Sequence, residues 1–228
     1  MNKVTAIVLA AGTGSRMKQN TKKQFMEING KAIIWYTLNA FEHSGVDEIV
    51  LVTGADDIDY VKDNIVDENH FTKVTEIVAG GEERFQSVYN GLQVATGDII
   101  LIHDGARPLV TNMIINRCID GAIEDKAVVA GMPAKDTIKI ASADRVIKDT
   151  PERSTMWLTQ TPQAFDAELI KRAYNRLIAD GNDKVTDDAM VVEQYTDARV
   201  KFVEGSYENI KITTPEDLVI AKALMESV

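Results

Sequence analysis

Val4-Thr5-Ala6-Ile7-Val8-Leu9-Ala10-Ala11-Gly12-Thr13-Gly14-Ser15-Arg16-Met17 opens the chain, and Lys22-Lys23-Gln24 follow shortly after. An apolar run of this length, ended by small residues, reads as a buried strand whose carboxyl end opens onto a site. Gly12 and Gly14 let the backbone come close to a ligand, and exposed N–H groups in such a loop hold phosphate oxygens. Arg16 and Lys23 add the charge that a polyphosphate demands. The stretch is not the dinucleotide fingerprint, because G-x-G-x-x-G would put a third glycine at 17, where Met17 stands. Nor is it a Walker loop, since no G-x-x-x-x-G-K-[ST] string occurs in the chain. A tight strand-to-helix turn that binds nothing stays open as the alternative, and the two cations close behind the glycines weigh against it.

Outward from this run, strand-like and helix-like segments alternate. The spacing predicts an amphipathic helix over Ala32 to His43, a short buried strand over Glu48 to Val52 and a helix over Asp57 to Ile65. Val74 to Val78 reads as a strand leading to Gly80-Gly81, Arg84 to Ala95 as a helix closed by Gly97, and Ile99 to Ile102 as a core strand. Thr111 begins another helix, and Ala127 to Met132 forms another strand. This order predicts an α/β fold: a Rossmann-like, mostly parallel sheet with helices on both faces. Ligands on such sheets sit outside the carboxyl ends of the strands. Those ends are chemically loaded here at Gly12 to Lys23, at Gly80-Gly81-Glu82-Glu83-Arg84 and at Asp104-Gly105-Ala106-Arg107-Pro108.

From about 134 to 156 the pattern changes. Asp136-Thr137-Ile138-Lys139-Ile140 and Arg145-Val146-Ile147-Lys148-Asp149 alternate polar with apolar around Ala141 to Asp144, as a two-stranded ribbon would. Two strands alone are marginal, so the ribbon is expected to pack against something, such as a second subunit. The chain then returns through Trp157-Leu158-Thr159-Gln160-Thr161-Pro162-Gln163 to a helix near Asp166 to Ala179. Lys211 sits in the alternating, strand-like run Asn209-Ile210-Lys211-Ile212-Thr213. Thr214-Pro215-Glu216-Asp217 opens the last helix with an N-cap threonine, a proline and first-turn acids.

At 228 residues the chain is expected to form one domain, 1–228, with the ribbon as an arm. A hydrophobic fraction of 45% supports a sizeable core. The net charge of −10 argues against a general nucleic-acid or anionic-membrane surface, so an anionic ligand must be held by local cations working against the overall field. The single cysteine, Cys118, lies in an apolar helical pattern and reads as a small buried residue. No apolar segment approaches the roughly 18–20 residues needed to span a bilayer. The N-terminus runs directly into a strand without a leader-like pattern, so the expected location is the cytoplasm.

Asp104 follows the most hydrophobic strand, where a carboxylate meets a bound ligand or a metal, Mg²⁺ in particular. A turn-forming aspartate is the competing reading. Asp187-Asp188 after Thr186 looks first like a helix N-cap. Lys211, Arg153 and Thr137 have a plain reading as solvated positions. His43, His70 and His103 show no metal-binding spacing, and His103, at the end of a core strand, reads as structural.

Together, Leu9-Ala10-Ala11-Gly12-x-Gly14-x-Arg16-Met17 with Lys23-Gln24 and Gly80-Gly81-x-x-Arg84-x-x-Ser87-Val88 resemble the nucleotide half of the sugar-phosphate nucleotidyltransferases. Asp104-x-Ala106-Arg107-Pro108, Lys135 to Lys139, Gln160-Thr161-Pro162-Gln163-x-Phe165, Thr186-Asp187-Asp188-Ala189 and Asn209 to Thr213 narrow the resemblance to the 2-C-methyl-D-erythritol 4-phosphate cytidylyltransferase family. It covers about residues 4 to 225, in order. The resemblance implies transfer of CMP from CTP to a polyol phosphate with Mg²⁺, in a homodimer built through the arm. It implies that Ala10, Ala11, Gly12, Gly14, Gly81, Glu82 and Ser87 surround the cytidine nucleotide. Arg16, Lys23 and Lys211 would be catalytic, holding the CTP phosphates, with Asp104 at the metal. Arg107, Thr137, Arg153, Thr161 and Thr186 would serve the polyol phosphate, Thr137 and Arg153 reaching into the neighbouring subunit.

The departures are few. Lys22 stands where members commonly have proline, and Gly105 replaces an alanine of some members, which reads as a mild change. A similar enzyme acting on ribitol 5-phosphate tends to carry Ala-Gly-Gly in the first loop and Leu-Ser-Asp-Ala later. Ala10-Ala11-Gly12, Thr186 to Ala189, Lys135-Asp136 and Trp157 favour methylerythritol phosphate. A nucleotide-binding subunit without catalysis is the alternative of another class, and an intact first loop and Lys211 speak against it.

Overall fold

Strand β1 (Val4–Ala10) lies in the interior of a seven-stranded sheet in a computed structural model, which describes residues 2–12 and 22–226. Its side chains alternate between two cores. Ala6 and Val8 pack with Leu38, Phe41 and Ile115 on one face, while Ile7 packs with Val88, Leu92 and Ile170 on the other. A strand covered on both faces has no polar side, which is why this run is continuously apolar.

After β1 come a hairpin of β2 (Glu27–Ile28) and β3 (Lys31–Ala32), then α1 (Ile33–Glu42), β4 (Glu48–Thr53), α2 (Ile58–Val61), β5 (Val74–Ala79), α3 (Arg84–Val94) and β6 (Ile99–Asp104). The helix expected over Asp57 to Ile65 is a single α-turn that continues as a wider π-helical stretch over Lys62–Asp67. The second half runs α4 (Asn112–Asp125), β7 (Ala127–Pro133), β8 (Ile140–Ala141), β9 (Ile147–Asp149), β10 (Trp157–Asp166), α5 (Ala167–Asp180), α6 (Asp188–Tyr195), β11 (Lys201–Glu204) and α7 (Pro215–Glu226).

The order across the sheet is β11-β7-β10-β6-β1-β4-β5. All neighbours pair in parallel except β10, which runs antiparallel to both β6 and β7. The mostly parallel α/β sheet with helices on both faces is therefore as expected. The segment Trp157 to Gln163, expected only to carry the chain back, is instead most of strand β10. Its buried face carries Gln160, Thr161 and Gln163, and its register with β7 shifts between Thr159 and Gln163. A strand with polar residues inward and a proline within it shows neither of the usual strand patterns.

The ribbon forms as an antiparallel pair, β8 with β9, shorter than its alternation suggests. The run Asn209 to Thr213 is not a strand: Ile212 N–H donates to the Ala106 carbonyl at 2.8 Å, while the Asn209 and Ile210 N–H groups turn back to the Ser206 and Glu208 carbonyls. A third small core, with Met26, Ile28, Ile33, Ile212 and Ala221, clamps this segment between the β2–β3 hairpin and α7. At the start of α7 the expected cap is reversed. The Asp217 carboxylate accepts from the N–H groups of Thr213 and Thr214 at 2.7 and 2.8 Å. Among the described residues no helix is long and apolar enough to cross a membrane.

Candidate active site

The chain passes from β1 outward through β4 to β5, then returns to the other side of β1 as β6. Connections leave in opposite directions at that point, so a crevice opens outside the carboxyl ends of β1 and β6. A pocket of about 450 Å³ occupies it. Ala10, Ala11 and Gly12 come to it from β1, Gly81, Glu82 and Ser87 from the turn into α3, and Asp104 from the end of β6. Lys23 and Lys211 complete the charged part of the wall.

Each piece has a local cause. A Cβ at Gly12 would meet nothing within 4 Å among the described residues, so a side chain there would intrude on the pocket. Gly80 is fixed by crowding, since a Cβ would lie 2.3 Å from that of Ala11. A capping box joins Glu83 and Gln86 at the start of α3, and Ser87 Oγ accepts the Gly81 N–H at 3.1 Å. The turn before α3 is thereby held against the end of β1.

Asp104 is the electrostatic centre. Lys211 Nζ lies 2.8 Å from its Oδ2 and Arg84 Nε lies 3.3 Å from its Oδ1. Burial alone would raise its pKa, but Arg84, Lys211 and Arg107 together hold it well below the usual carboxylate range. Its backbone N–H donates to Thr161 Oγ1 at 3.1 Å. Thr161 Oγ1 also lies 3.1 Å from His103 Nδ1, and His103 Nε2 lies 3.3 Å from the Arg107 carbonyl. A carbonyl only accepts, so Nε2 carries the ring proton and Nδ1 accepts from Thr161. Burial pushes the His103 pKa down to about 3, with Asp104 opposing and Arg107 reinforcing the shift. His103 is a neutral structural brace, as its position in the strand suggested.

Behind Asp104 lies a layer that the sequence did not announce. Arg84 forks onto Asp188 through Nη1 at 2.9 Å and Nη2 at 2.7 Å, and the Tyr174 hydroxyl donates to Asp188 Oδ1 at 2.6 Å. Asp187 does cap α6, accepting the Met190 N–H at 3.0 Å, but Asp188 is wholly buried. No local pattern distinguishes a first-turn carboxylate aimed at a distant arginine from one that faces water. Gln24 also went unassigned; it lines the pocket almost fully buried, and its Nε2 has no partner among the described residues.

Of the expected site residues, Ala10, Ala11, Gly12, Lys23, Gly81, Glu82, Ser87, Asp104 and Lys211 converge on the pocket. Gly14 and Arg16 lie outside the described residues. Arg107, Thr137, Arg153, Thr161 and Thr186 are not part of the pocket lining among the described residues. Thr161 is buried behind Asp104, and Thr186 is exposed with its hydroxyl 3.5 Å from Met190 Sδ. Thr137 and Arg153 are exposed on the arm, where Arg153 Nη1 donates to the Lys135 carbonyl at 3.2 Å. Arg107 is tucked beside the site, with Nη1 donating to the Asn209 carbonyl at 2.7 Å and a buried Nε that has no hydrogen-bond partner among the described residues. Burial lowers its pKa against the pull of Asp104, and it forms no ion pair among the described residues. Gly105 is no mild substitution here: a Cβ would lie 2.6 Å from Ile34 Cδ1 and 2.8 Å from the Leu9 carbonyl oxygen.

The family model described as IspD, 2-C-methyl-D-erythritol 4-phosphate cytidylyltransferase, matches residues 4–227. A 2-C-methyl-D-erythritol 4-phosphate cytidylyltransferase of Lachnospira eligens is 51% identical over 220 residues, 95% of this chain and 96% of that protein. One from Lachnoclostridium phytofermentans is 47% identical over 226 residues, covering 99% and 97% of the two chains. Among solved structures, the 4-diphosphocytidyl-2C-methyl-D-erythritol synthase of Anaerococcus prevotii superposes with a TM-score of 0.87 at 36% identity, covering 98% of this chain and 96% of that one.

Proposed function

The chain belongs to the 2-C-methyl-D-erythritol 4-phosphate cytidylyltransferase family, and from that premise we propose how its residues divide the work. The enzyme transfers CMP from CTP to 2-C-methyl-D-erythritol 4-phosphate, releasing pyrophosphate, in non-mevalonate isoprenoid synthesis. The observation that carries the division of labour is the pocket at the β1–β6 crevice, where Asp104 meets Lys211 with Lys23 alongside.

In the reaction, a phosphate monoester oxygen of the polyol attacks the α-phosphorus of CTP, and the bond from that phosphorus to the bridging oxygen of pyrophosphate breaks. The nucleophile is already anionic, so no general base is required. The task is to bring two anions together and stabilise charge that builds on the α-phosphate and the leaving group. Lys23, Lys211 and Arg16 supply that charge. Gly12, Gly14, Ala10 and Ala11 admit the nucleotide against the backbone, and Gly81, Glu82 and Ser87 line its other side. Because Lys211 is paired with Asp104 before substrate arrives, it enters the site oriented rather than loose in water.

No group of three or more His, Cys, Asp or Glu side chains that could cage a metal occurs among the described residues. Asp104, held ionised on the pocket wall, fits Mg²⁺, which takes one or two carboxylates and completes its shell with substrate phosphates and water. Asp104 would hold it, and the cation when bound would neutralise phosphate charge.

Arg107 is a half-buried cation whose burial lowers its pKa against the pull of Asp104 and which forms no ion pair among the described residues, a state that a substrate phosphate would relieve. That supports placing the polyol phosphate beside it, with Thr161 and Thr186 nearby. Thr137 and Arg153, out on the arm, reach a polyol site only in a second subunit. Exposed apolar groups lie on the arm and at the end of the sheet that leads from it: Trp157 stacks on Phe202 with ring centres 5.0 Å apart, Leu158 next to Trp157 is exposed, and so are Ile140, Val146 and Ile147 on the arm. Such a surface supports a homodimer.

The test of the reading is pyrophosphate release with CTP and Mg²⁺, comparing methylerythritol phosphate, ribitol 5-phosphate and no acceptor. Release is expected with methylerythritol phosphate alone; equal or greater release with ribitol 5-phosphate would overturn the assignment of acceptor.

A further inference from the structure

We propose that Asp188 and Tyr174 are positioning residues of this active site, acting through Arg84 to hold the Asp104 carboxylate in register with Lys211. The chain of contacts is continuous. Tyr174, fully buried on α5, donates to Asp188 Oδ1 at 2.6 Å. Asp188, fully buried at the start of α6, takes one N–H from each terminal nitrogen of Arg84, at 2.9 and 2.7 Å. The remaining Nε of Arg84 reaches Asp104 Oδ1 at 3.3 Å, and Lys211 takes Oδ2 at 2.8 Å.

The two oxygens of Asp104 are thus shared between two cations that approach from different elements. A guanidinium prefers to fork onto a carboxylate through two parallel N–H bonds. Asp188 occupies that fork, so Arg84 has only its Nε left for Asp104. Without the Asp188 charge the fork has no fixed partner or direction, and the Nε contact no longer holds the Asp104 carboxylate in its plane beside Lys211. The Tyr174 hydroxyl fixes which way the Asp188 plane faces, and so fixes the direction of the fork. Helices α3, α5 and α6 are in this way coupled to the end of β6.

A buried ion pair that only tied α3 to α6 would be replaceable by apolar side chains of similar volume. Here the arginine has a third contact, and that contact is the carboxylate on the pocket wall. The inference rests on Asp104 serving the transfer reaction, so the experiment separates the two.

Steady-state kinetics and thermal midpoints are measured on full-length Asp188→Asn, Tyr174→Phe, Asp104→Asn and the double variant Arg84→Gln/Asp188→Asn. Asp188→Asn is expected to lower kcat by about 10- to 100-fold, the range for an ångström-scale misplacement of a reacting group. KM for CTP should change by less than about threefold, because nucleotide contacts on the β1 and α3 side are untouched. Tyr174→Phe keeps the ring and its packing and should lower kcat by about threefold or more. The double variant no longer buries an unpaired charge, so its thermal midpoint should recover toward that of the parent while kcat stays low. Recovery of kcat together with the midpoint would overturn the inference, leaving a purely structural pair. So would kcat within twofold of the parent in Asp188→Asn or, should that variant not fold, in Tyr174→Phe. An unchanged kcat in Asp104→Asn would sink the role of Asp104 itself; loss of activity there with full activity in Asp188→Asn sinks only the positioning chain.

Discussion

Lys211 gains its importance from its neighbours in sequence as much as from its charge. Ile212 is fully buried in the small third core and donates its N–H to the Ala106 carbonyl, while Asn209 is buried and bonds through Nδ2 to the Thr161 carbonyl at 2.9 Å. With both flanks pinned, the ammonium has one direction to take, toward Asp104. Lys23 lines the same pocket. Losing one well-placed transition-state contact costs on the order of 10²–10³ in rate, about 3–4 kcal/mol. Lys23→Ala and Lys211→Ala should each show that loss in kcat measured by pyrophosphate release, and near-normal turnover in a purified, folded variant would remove that residue from the mechanism. Both lysines were visible in the sequence as cations near phosphate-like loops or in a resembling motif. Arg84 and Asp188 were visible only as letters in motifs, because the contact that gives them meaning spans 104 positions. No periodicity reports a contact of that separation.

Elements decide how closely the pocket walls approach. Gly105 lies where the turn after β6 passes under β1 and α1: its N–H donates to the Leu9 carbonyl at 2.9 Å, and a Cβ would press on the same carbonyl and on Ile34. A methyl group there cannot be absorbed by a rotamer change alone, because one of the atoms it meets is backbone. Gly105→Ala should destabilise the protein by about 1–3 kcal/mol, the usual cost of overpacking a well-filled core, read as a lower urea midpoint. It should also lower kcat, since the displaced turn carries Asp104 with it; a variant with parental stability and kcat would show that the turn yields freely. Boundaries of β1, β4, β6 and α4 were legible to within a residue or two, since each carries an unbroken apolar run or a clear cap, such as Thr111 accepting the Ile114 N–H. Strand β10 was not, because Gln160, Thr161 and Gln163 face inward to build hydrogen bonds rather than to bury carbon.

The whole molecule raises the question of what completes the acceptor side. Arg107, which forms no ion pair among the described residues, lies beside the pocket, whereas Arg153 and Thr137 are exposed on the arm. If the arm serves a neighbouring subunit, Arg153→Ala should raise KM for the polyol phosphate about tenfold or more while leaving CTP affinity near parental. Mixing Lys23→Ala with Arg153→Ala after subunit exchange should restore part of the activity, because hybrid dimers then contain one intact composite site. Absence of rescue with exchange verified by mass would argue that each chain uses its own arm. The sequence alone determined the alternation of strands and helices and marked the carboxyl-end loops between which the pocket lies. It could do so because burial pattern, glycine placement and local charge act over a few residues. Only the tertiary structure decided that β10 runs against the sheet, that Lys211 and Asp104 face each other, and that Asp188 stands behind Arg84. Those facts depend on which segments pack together across the sheet, and packing between distant segments leaves no local mark on the chain.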